Sequence, residues 1–153
     1  MAEIERRFLI AAETPAAERA ERIEQGYLAI DRDGTEVRIR RRAGAHTLTV
    51  KSPDAGRVRL EEELAIDAAR FERLWPLTKG RRLEKERHLI ALAGGLTAEL
   101  DVYAGALAGL RIVEVEFDSA AAADRFTAPA WFGAEVTDEH RYRNRELAVH
   151  GAP

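Results

Sequence analysis

Between residues 3 and 118 the apolar residues recur with a period of two, and the polar half of that alternation is ionic in strand after strand. Glu3, Glu5 and Arg7 stand on one side, with Ile4 and Phe8 opposite. Glu36, Arg38 and Arg40 oppose Val37 and Ile39, and Thr47, Thr49 and Lys51 oppose Leu48 and Val50. Arg57, Arg59, Glu61 and Glu63 oppose Val58, Leu60 and Leu64. Lys85 and Arg87 share a face, as do Glu99 and Asp101 against Leu100 and Val102. Glu114, Glu116 and Asp118 oppose Val113, Val115 and Phe117. A period of two places successive side chains on opposite faces of a strand and excludes a helical bundle.

The pattern predicts strands over 3–11, 25–31, 36–43, 47–52, 57–67, 81–92, 96–103 and 110–118. Turn signals separate many of them: Asp33-Gly34, Ala43-Gly44, Ser52-Pro53-Asp54 with Gly56, and Gly94-Gly95. Eight strands with mostly short connections suggest a closed antiparallel barrel, because closure removes exposed edges. The fold class expected is mainly β within α+β, with helices at the periphery. Those helices are predicted over 14–23 after a Thr-Pro cap, over 68–75 capped by Asp67, over 119–126, and over 139–149 capped by Asp138. Tyr142, Leu147 and Val149 would anchor the last one on the barrel or across one mouth.

Two orientations of the ionic faces are open. They form a solvated exterior around an apolar interior, or they line a wet bore while the helices cover an apolar exterior. In the second case the lining carries both signs. Its acidic set is Glu3, Glu5, Glu61, Glu63, Glu99, Asp101, Glu114 and Glu116. Its basic set is Arg7, Arg38, Arg40, Lys51, Arg57, Arg59, Lys85 and Arg87. Buried charges without partners cost several kcal/mol each, so such a lining must pair, stay hydrated or meet a ligand. Numerous cations suit a polyanion with several phosphates, and clustered carboxylates suit a hard divalent cation that bridges them. Together they are the components of metal-assisted phosphoryl transfer.

Composition narrows the field further. The 153 residues fit one domain, 1–153, and 46% are hydrophobic, enough for one core. Twenty-four basic and 27 acidic residues give a net charge of −3, a poor basis for non-specific binding to nucleic acid or to an anionic membrane. With no cysteine, disulfides and thiolate metal sites are excluded. No stretch is long and apolar enough for a signal or a span, so a cytoplasmic protein is expected. His46, His88, His140 and His150 lack metal-ligand spacing and are read as surface or capping residues. The run Arg141-Tyr142-Arg143-Asn144-Arg145 either steers anions toward one mouth or forms a solvated helix face.

Several segments resemble the CYTH superfamily, the triphosphate tunnel metalloenzymes. Glu3-Ile4-Glu5-Arg6-Arg7 is similar to the family's Glu-x-Glu-x-Lys mark with one change. Gln25-Gly26-Tyr27-Leu28, Val37-Arg38-Ile39-Arg40, Leu48-Thr49-Val50-Lys51, Leu74-Trp75-Pro76 and Gly80-Arg81-Arg82-Leu83-Glu84-Lys85 resemble short bacterial members in the same order. Glu99-Leu100-Asp101-Val102 and Val113-Glu114-Val115-Glu116-Phe117 extend the match over almost the full chain.

The resemblance implies an eight-stranded antiparallel tunnel that binds a triphosphate with Mg²⁺ or Mn²⁺ and hydrolyses tripolyphosphate to pyrophosphate and phosphate. It carries the metal role to Glu3, Glu5, Glu114 and Glu116, with Glu61, Glu63 and Asp101 as helpers. Phosphate binding falls to Arg38, Arg40, Lys51, Arg59, Lys85 and Arg87. Glu63 and Asp101 would hold a second ion that orients water, and Tyr27 would handle a proton or simply pack the barrel. Arg7 replaces the motif lysine; arginine stays protonated and cannot act as a base, so Arg7 either holds phosphate or marks an altered site. Family relatives keep open an organic triphosphatase or a class IV-type adenylyl cyclase. A non-catalytic polyphosphate-binding module and a plain barrel for protein contacts also remain. A homodimer is compatible with each.

Overall fold

The computed structural model describes residues 4–53 and 60–153. The predicted lining residues Glu3, Arg57 and Arg59 lie outside them.

Eight strands are present: β1 (Ile4–Leu9), β2 (Arg19–Ile30), β3 (Glu36–Arg42), β4 (Ala45–Lys51), β5 (Glu61–Ala65), β6 (Arg82–Ala91), β7 (Thr97–Tyr103) and β8 (Arg111–Phe117). They form one sheet in the order β1-β8-β7-β6-β2-β3-β4-β5, every pairing antiparallel. Three short α-helices accompany it among the described residues: α1 (Ala68–Leu74), α2 (Ala120–Arg125) and α3 (Asn144–His150). Asp67 caps α1 by accepting from the backbone of Arg70 at 2.7 Å, and Ser119 caps α2 by accepting from Ala122 at 3.0 Å.

One expected helix is a strand. Residues 19–23, placed in a helix over 14–23, belong to β2 and pair with β6 from Arg19↔Leu89 to Gly26↔Arg82. Arg19, Glu21, Ile23 and Gln25 do alternate there, but Arg22 and Glu24 on the other face are also charged, so the period is hidden in composition. Tertiary pairing overrode the helix propensity of alanine and arginine. The last helix is also shorter than expected. A single 3₁₀ turn over His140–Tyr142, capped by Glu139, precedes α3, with Arg143 extended between them.

Turn chemistry sets the register. β3 and β4 are joined by Ala43-Gly44, both at positive φ (48° and 79°), the two-residue geometry that matches strand twist. Glycine is also required at Gly133, where a Cβ would stand 2.6 Å from the Leu9 carbonyl oxygen. That close approach lets residues 133–136 run along the outer edge of β1. Leu9 N–H donates to Ala134 O at 2.8 Å, and Gly133 and Val136 N–H donate to Leu9 O and Arg7 O at 2.7 and 2.8 Å. The far edge belongs to β5, and among the described residues β1 and β5 do not pair. On the β1 side the sheet is thus extended by the chain's own 133–136 segment.

The main apolar core lies on one face of this sheet. Phe8, Ile90, Leu100, Val113, Val115 and Phe117 pack there with Ala123 of α2 and with Phe126 and Phe132. Aromatic contacts run through it, Phe8 to Phe132 at 4.9 Å and Phe117 to Phe126 at 5.2 Å between ring centroids. Helix α2 and its following segment thus cover the apolar side of β1, β8, β7 and β6, leaving the other side to the charges.

Candidate active site

Cross-strand partners share a face, so the register decides where each ionic residue stands. Glu5↔Glu116, Arg7↔Glu114 and Glu99↔Glu114 join β1, β8 and β7. Arg87↔Asp101 and Lys85↔Tyr103 continue to β6, and Glu21↔Arg87 and Ile23↔Lys85 to β2. Gln25↔Arg40 and Tyr27↔Arg38 lead to β3, Arg38↔Thr49 and Glu36↔Lys51 to β4, and Thr49↔Glu63 and Lys51↔Glu61 to β5. Every predicted site residue within the described part stands on the face opposite the aromatic core. Of the two orientations open from sequence, the ionic face is the enclosed one: the side chains of Lys85, Asp101 and Arg87 are 0%, 1% and 8% exposed.

At the β6–β7 junction the charges saturate one another. Asp101 accepts from Lys85 Nζ at 2.7 Å and takes Arg87 bidentately at 2.8 and 2.9 Å. Arg87 also reaches Glu99 at 2.8 Å. Burial raises the Asp101 carboxyl, but Lys85 and Arg87 outweigh it and hold the group at about 2. Burial pushes the Lys85 ammonium down to about 8, against the pull of Asp101. Asp101 therefore positions two cations and has no oxygen turned away from them.

On β1 and β8, Arg7 lies 3.2 Å from both Glu5 and Glu114, with another guanidinium N–H donating to Tyr142 O at 3.3 Å. Burial raises Glu114, yet Arg7 outweighs it and the carboxyl sits below its ordinary value. The cation in the lysine position of the motif is thus a counter-ion for two of the carboxylates assigned to metal. Its Nε is buried and has no hydrogen-bond partner among the described residues.

The β2–β3–β4 stretch differs. Arg40 Nε donates to Gln25 Oε1 at 2.8 Å, and Arg40 has no ion pair among the described residues. Burial, then the neighbouring Arg38 and Arg87, lowers its pKa to about 10. Arg38 meets Glu61 only at 3.9 Å, and its buried Nε lacks a partner among the described residues. Lys51 stands 3.5 Å from Glu61. Tyr27 is buried, accepts from Gln25 Nε2 at 2.9 Å, and burial raises its pKa, so it remains a phenol at neutral pH.

Glu63 is exposed on β5, where Thr49 Oγ1 lies 3.5 Å away, at the opposite end of the strand order from β7. Among the described residues no three carboxylates or imidazoles converge to hold a metal. The face also carries residues the motifs did not single out: Gln25, Tyr103 and Asn144. Tyr103 O–H donates to Asn144 Oδ1 at 2.8 Å, and Lys85 Nζ lies 3.5 Å from the same oxygen. Parity alone would have found Tyr103 after Glu99 and Asp101, and Gln25 after Glu21 and Ile23. Asn144 has no sequence signal.

The chain is similar to known proteins in sequence and in fold. The CYTH domain family profile matches residues 1–144. An inorganic triphosphatase of Nitrosomonas europaea is 46% identical over 149 residues, which span 97% of this chain and 98% of that protein. An inorganic triphosphatase of Acetivibrio thermocellus is 34% identical over 147 residues, 95% of this chain and 92% of that one. The crystal structure of the inorganic triphosphatase NE1496 superposes with a TM-score of 0.81 at 43% identity, covering 100% of this chain and 98% of its own.

Proposed function

The chain belongs to the CYTH domain family, and from that premise we propose that it hydrolyses inorganic triphosphate to pyrophosphate and phosphate on its ionic face. Water adds across one phosphoanhydride bond, and the leaving pyrophosphate keeps the bridging oxygen. The observation that carries this reading is the stretch of cations on β3, where Arg40 lacks a carboxylate among the described residues and Arg38 keeps a buried N–H to spare. Guanidinium groups side by side on an enclosed face repel each other until a polyanion lies between them.

Arg38, Arg40, Lys51, Lys85 and Arg87 bind the phosphates in this proposal, and Asp101 fixes the last two in place. Glu61 restrains Arg38 and Lys51. The phenol of Tyr27 is a hydrogen-bond donor to substrate or water, not a base. Glu63, on the exposed strand, is the carboxylate left to orient the attacking water.

The carboxylates on β1, β7 and β8 fit a hard divalent cation by donor chemistry. Glu5 stands opposite Glu116 and Glu99 opposite Glu114, pairs of like charge that destabilise a sheet unless a cation lies between them. Glu5, Glu114 and Glu116 would hold Mg²⁺ or Mn²⁺, which when bound neutralises charge developing on the phosphoryl oxygens.

Phosphate release measured with tripolyphosphate, ATP, thiamine triphosphate and pyrophosphate, each with Mg²⁺, Mn²⁺ or a chelator, tests the proposal. Tripolyphosphate is expected to be turned over fastest, and only with metal. Faster ATP turnover, or equal rates in chelator, overturns it. Glu5→Gln should abolish turnover, and retained metal-dependent activity there removes Glu5 from the site.

We further infer a homodimer and a cytoplasmic setting. Val50, Leu60 and Leu64 are exposed near the β5 edge, an apolar strip suited to a second copy. Light scattering at the 17.1 kDa of one chain overturns the dimer. No helix among the described residues is long and apolar enough to cross a membrane.

A further inference from the structure

Helix α3 lies on the same face of the sheet as the charges, not on the face covered by α2. The register shows why. At one end the ionic face turns apolar through Leu9↔Ile112, Tyr103 and Leu83, all in phase with the charged residues beside them. Leu147 of α3 is buried against Leu83, Tyr103, Leu107 and Ile112, with Leu9 and Tyr142 packed alongside. Polar ties fix the helix at both flanks. Asn144 Oδ1 meets Tyr103 O–H and Lys85 on β7 and β6. Arg145 lies 3.6 Å from Glu36 Oε2 and 3.4 Å from Gly34 O at the β2–β3 connection.

The other end is wet. Arg19, Glu5 and Glu99 have side chains 65%, 37% and 36% exposed, against 0% for Lys85. A polyanion entering there passes Arg87 and reaches Lys85. Beyond Lys85 it meets a neutral amide, a phenol and leucines; Arg145 there faces Glu36, and Arg7, which donates to Tyr142 O, is already paired with Glu5 and Glu114. An additional phosphate pushed further would be desolvated without a partner, a steep cost for a charged group.

We propose that α3 is a stop that sets the length of linear polyphosphate this face accepts, with Leu147 as the specificity-determining residue and Arg145 as its positioning residue. The inference rests on the triphosphatase reading for the identity of the anion, but length selection is a property of binding and is measured separately from turnover.

The test uses the full chain, as wild type, Leu147→Ala and Arg145→Ala. Calorimetry gives Kd for tripolyphosphate, tetraphosphate and longer linear polyphosphate, and phosphate release gives kcat/KM for the same three. Wild type should bind and cleave tripolyphosphate in preference to the longer chains. Leu147→Ala should shift the ratio toward the longer chains on the order of tenfold, the discrimination available from removing part of an apolar wall. Arg145→Ala, which leaves the apolar packing intact, should shift it in the same direction and serves if Leu147→Ala does not fold. An unchanged Kd ratio in a folded variant overturns the stop. A shifted Kd ratio without hydrolysis of any polyphosphate leaves the stop standing and removes the triphosphatase reading.

Discussion

The sheet has two halves that treat charge differently. In β1, β8, β7 and β6 the ionic groups are matched: Arg7 with Glu5 and Glu114, Asp101 with Lys85 and Arg87. Their opposite face is sealed by α2 and a cluster of phenylalanines. In β3, Arg38 and Arg40 are under-matched among the described residues, and on the opposite face of β4 and β5 Val50 is 37% and Leu64 57% exposed. The first half is largely neutralised by its own ion pairs, its like-charge pairs Glu5–Glu116 and Glu99–Glu114 being suited to a metal cation. The second carries positive charge that folding leaves unsettled, and it is the half from which affinity for an anion has to come.

The largest effect should follow from disturbing the matched half. Asp101→Asn leaves Lys85 and Arg87 buried without their carboxylate and should cost about 3–5 kcal/mol of stability in a denaturant titration. A cost below 1 kcal/mol would mean that the pairing is slack and the contrast false. The next effect belongs to the other half. Arg40→Ala should leave the melting temperature undiminished, since it removes a half-buried cation with no ion pair among the described residues, while kcat/KM for tripolyphosphate drops by about 10²–10³-fold, as for the loss of one preorganised donor. A fall in stability with unchanged kinetics would reverse the assignment of roles.

Ligand should then act where charge is unsettled. Tripolyphosphate at a hundredfold excess over Kd, without metal, should add about 2.7 kcal/mol of stability, with new hydrogen-exchange protection concentrated in β3 and β4 rather than β7 and β8. Uniform protection would blunt the distinction. The smallest effect is one of pH. Asp101 is held at about 2 when folded, against 3.8 for an ordinary aspartate. Between those values the unfolded chain binds more protons, so stability is complete above about pH 4 and falls as pH drops toward 2. The loss should be about 2 kcal/mol and absent in Asp101→Asn.

Most of the fold was legible because each strand wrote its own alternation. Val37-Arg38-Ile39-Arg40 and Val113-Glu114-Val115-Glu116 could hardly be anything else. The stretch around Arg22 and Glu24 was not legible, since a strand charged on both faces has no period to detect, and only its neighbours β3 and β6 define it. The composition of the site was legible too, because residue type and parity together place a carboxylate or a guanidinium on the ionic face. Its internal pairing was not. That Arg7 serves Glu5 and Glu114, or that Asp101 is spent on Lys85 and Arg87, depends on which strands become neighbours. The role of Asn144 depends on where a distant helix lands, and no local pattern carries that.

One edge of the sheet is already occupied. Residues 133–136 lie along β1, so a strand from another molecule finds backbone donors and acceptors there in use. A fibril needs every copy to offer two open sides, as a chain of links needs two ends on each link. With β1 closed to further strands, strand pairing cannot propagate through that edge. A segment that reads as mere connection between α2 and α3 thereby guards one edge of the sheet against aggregation.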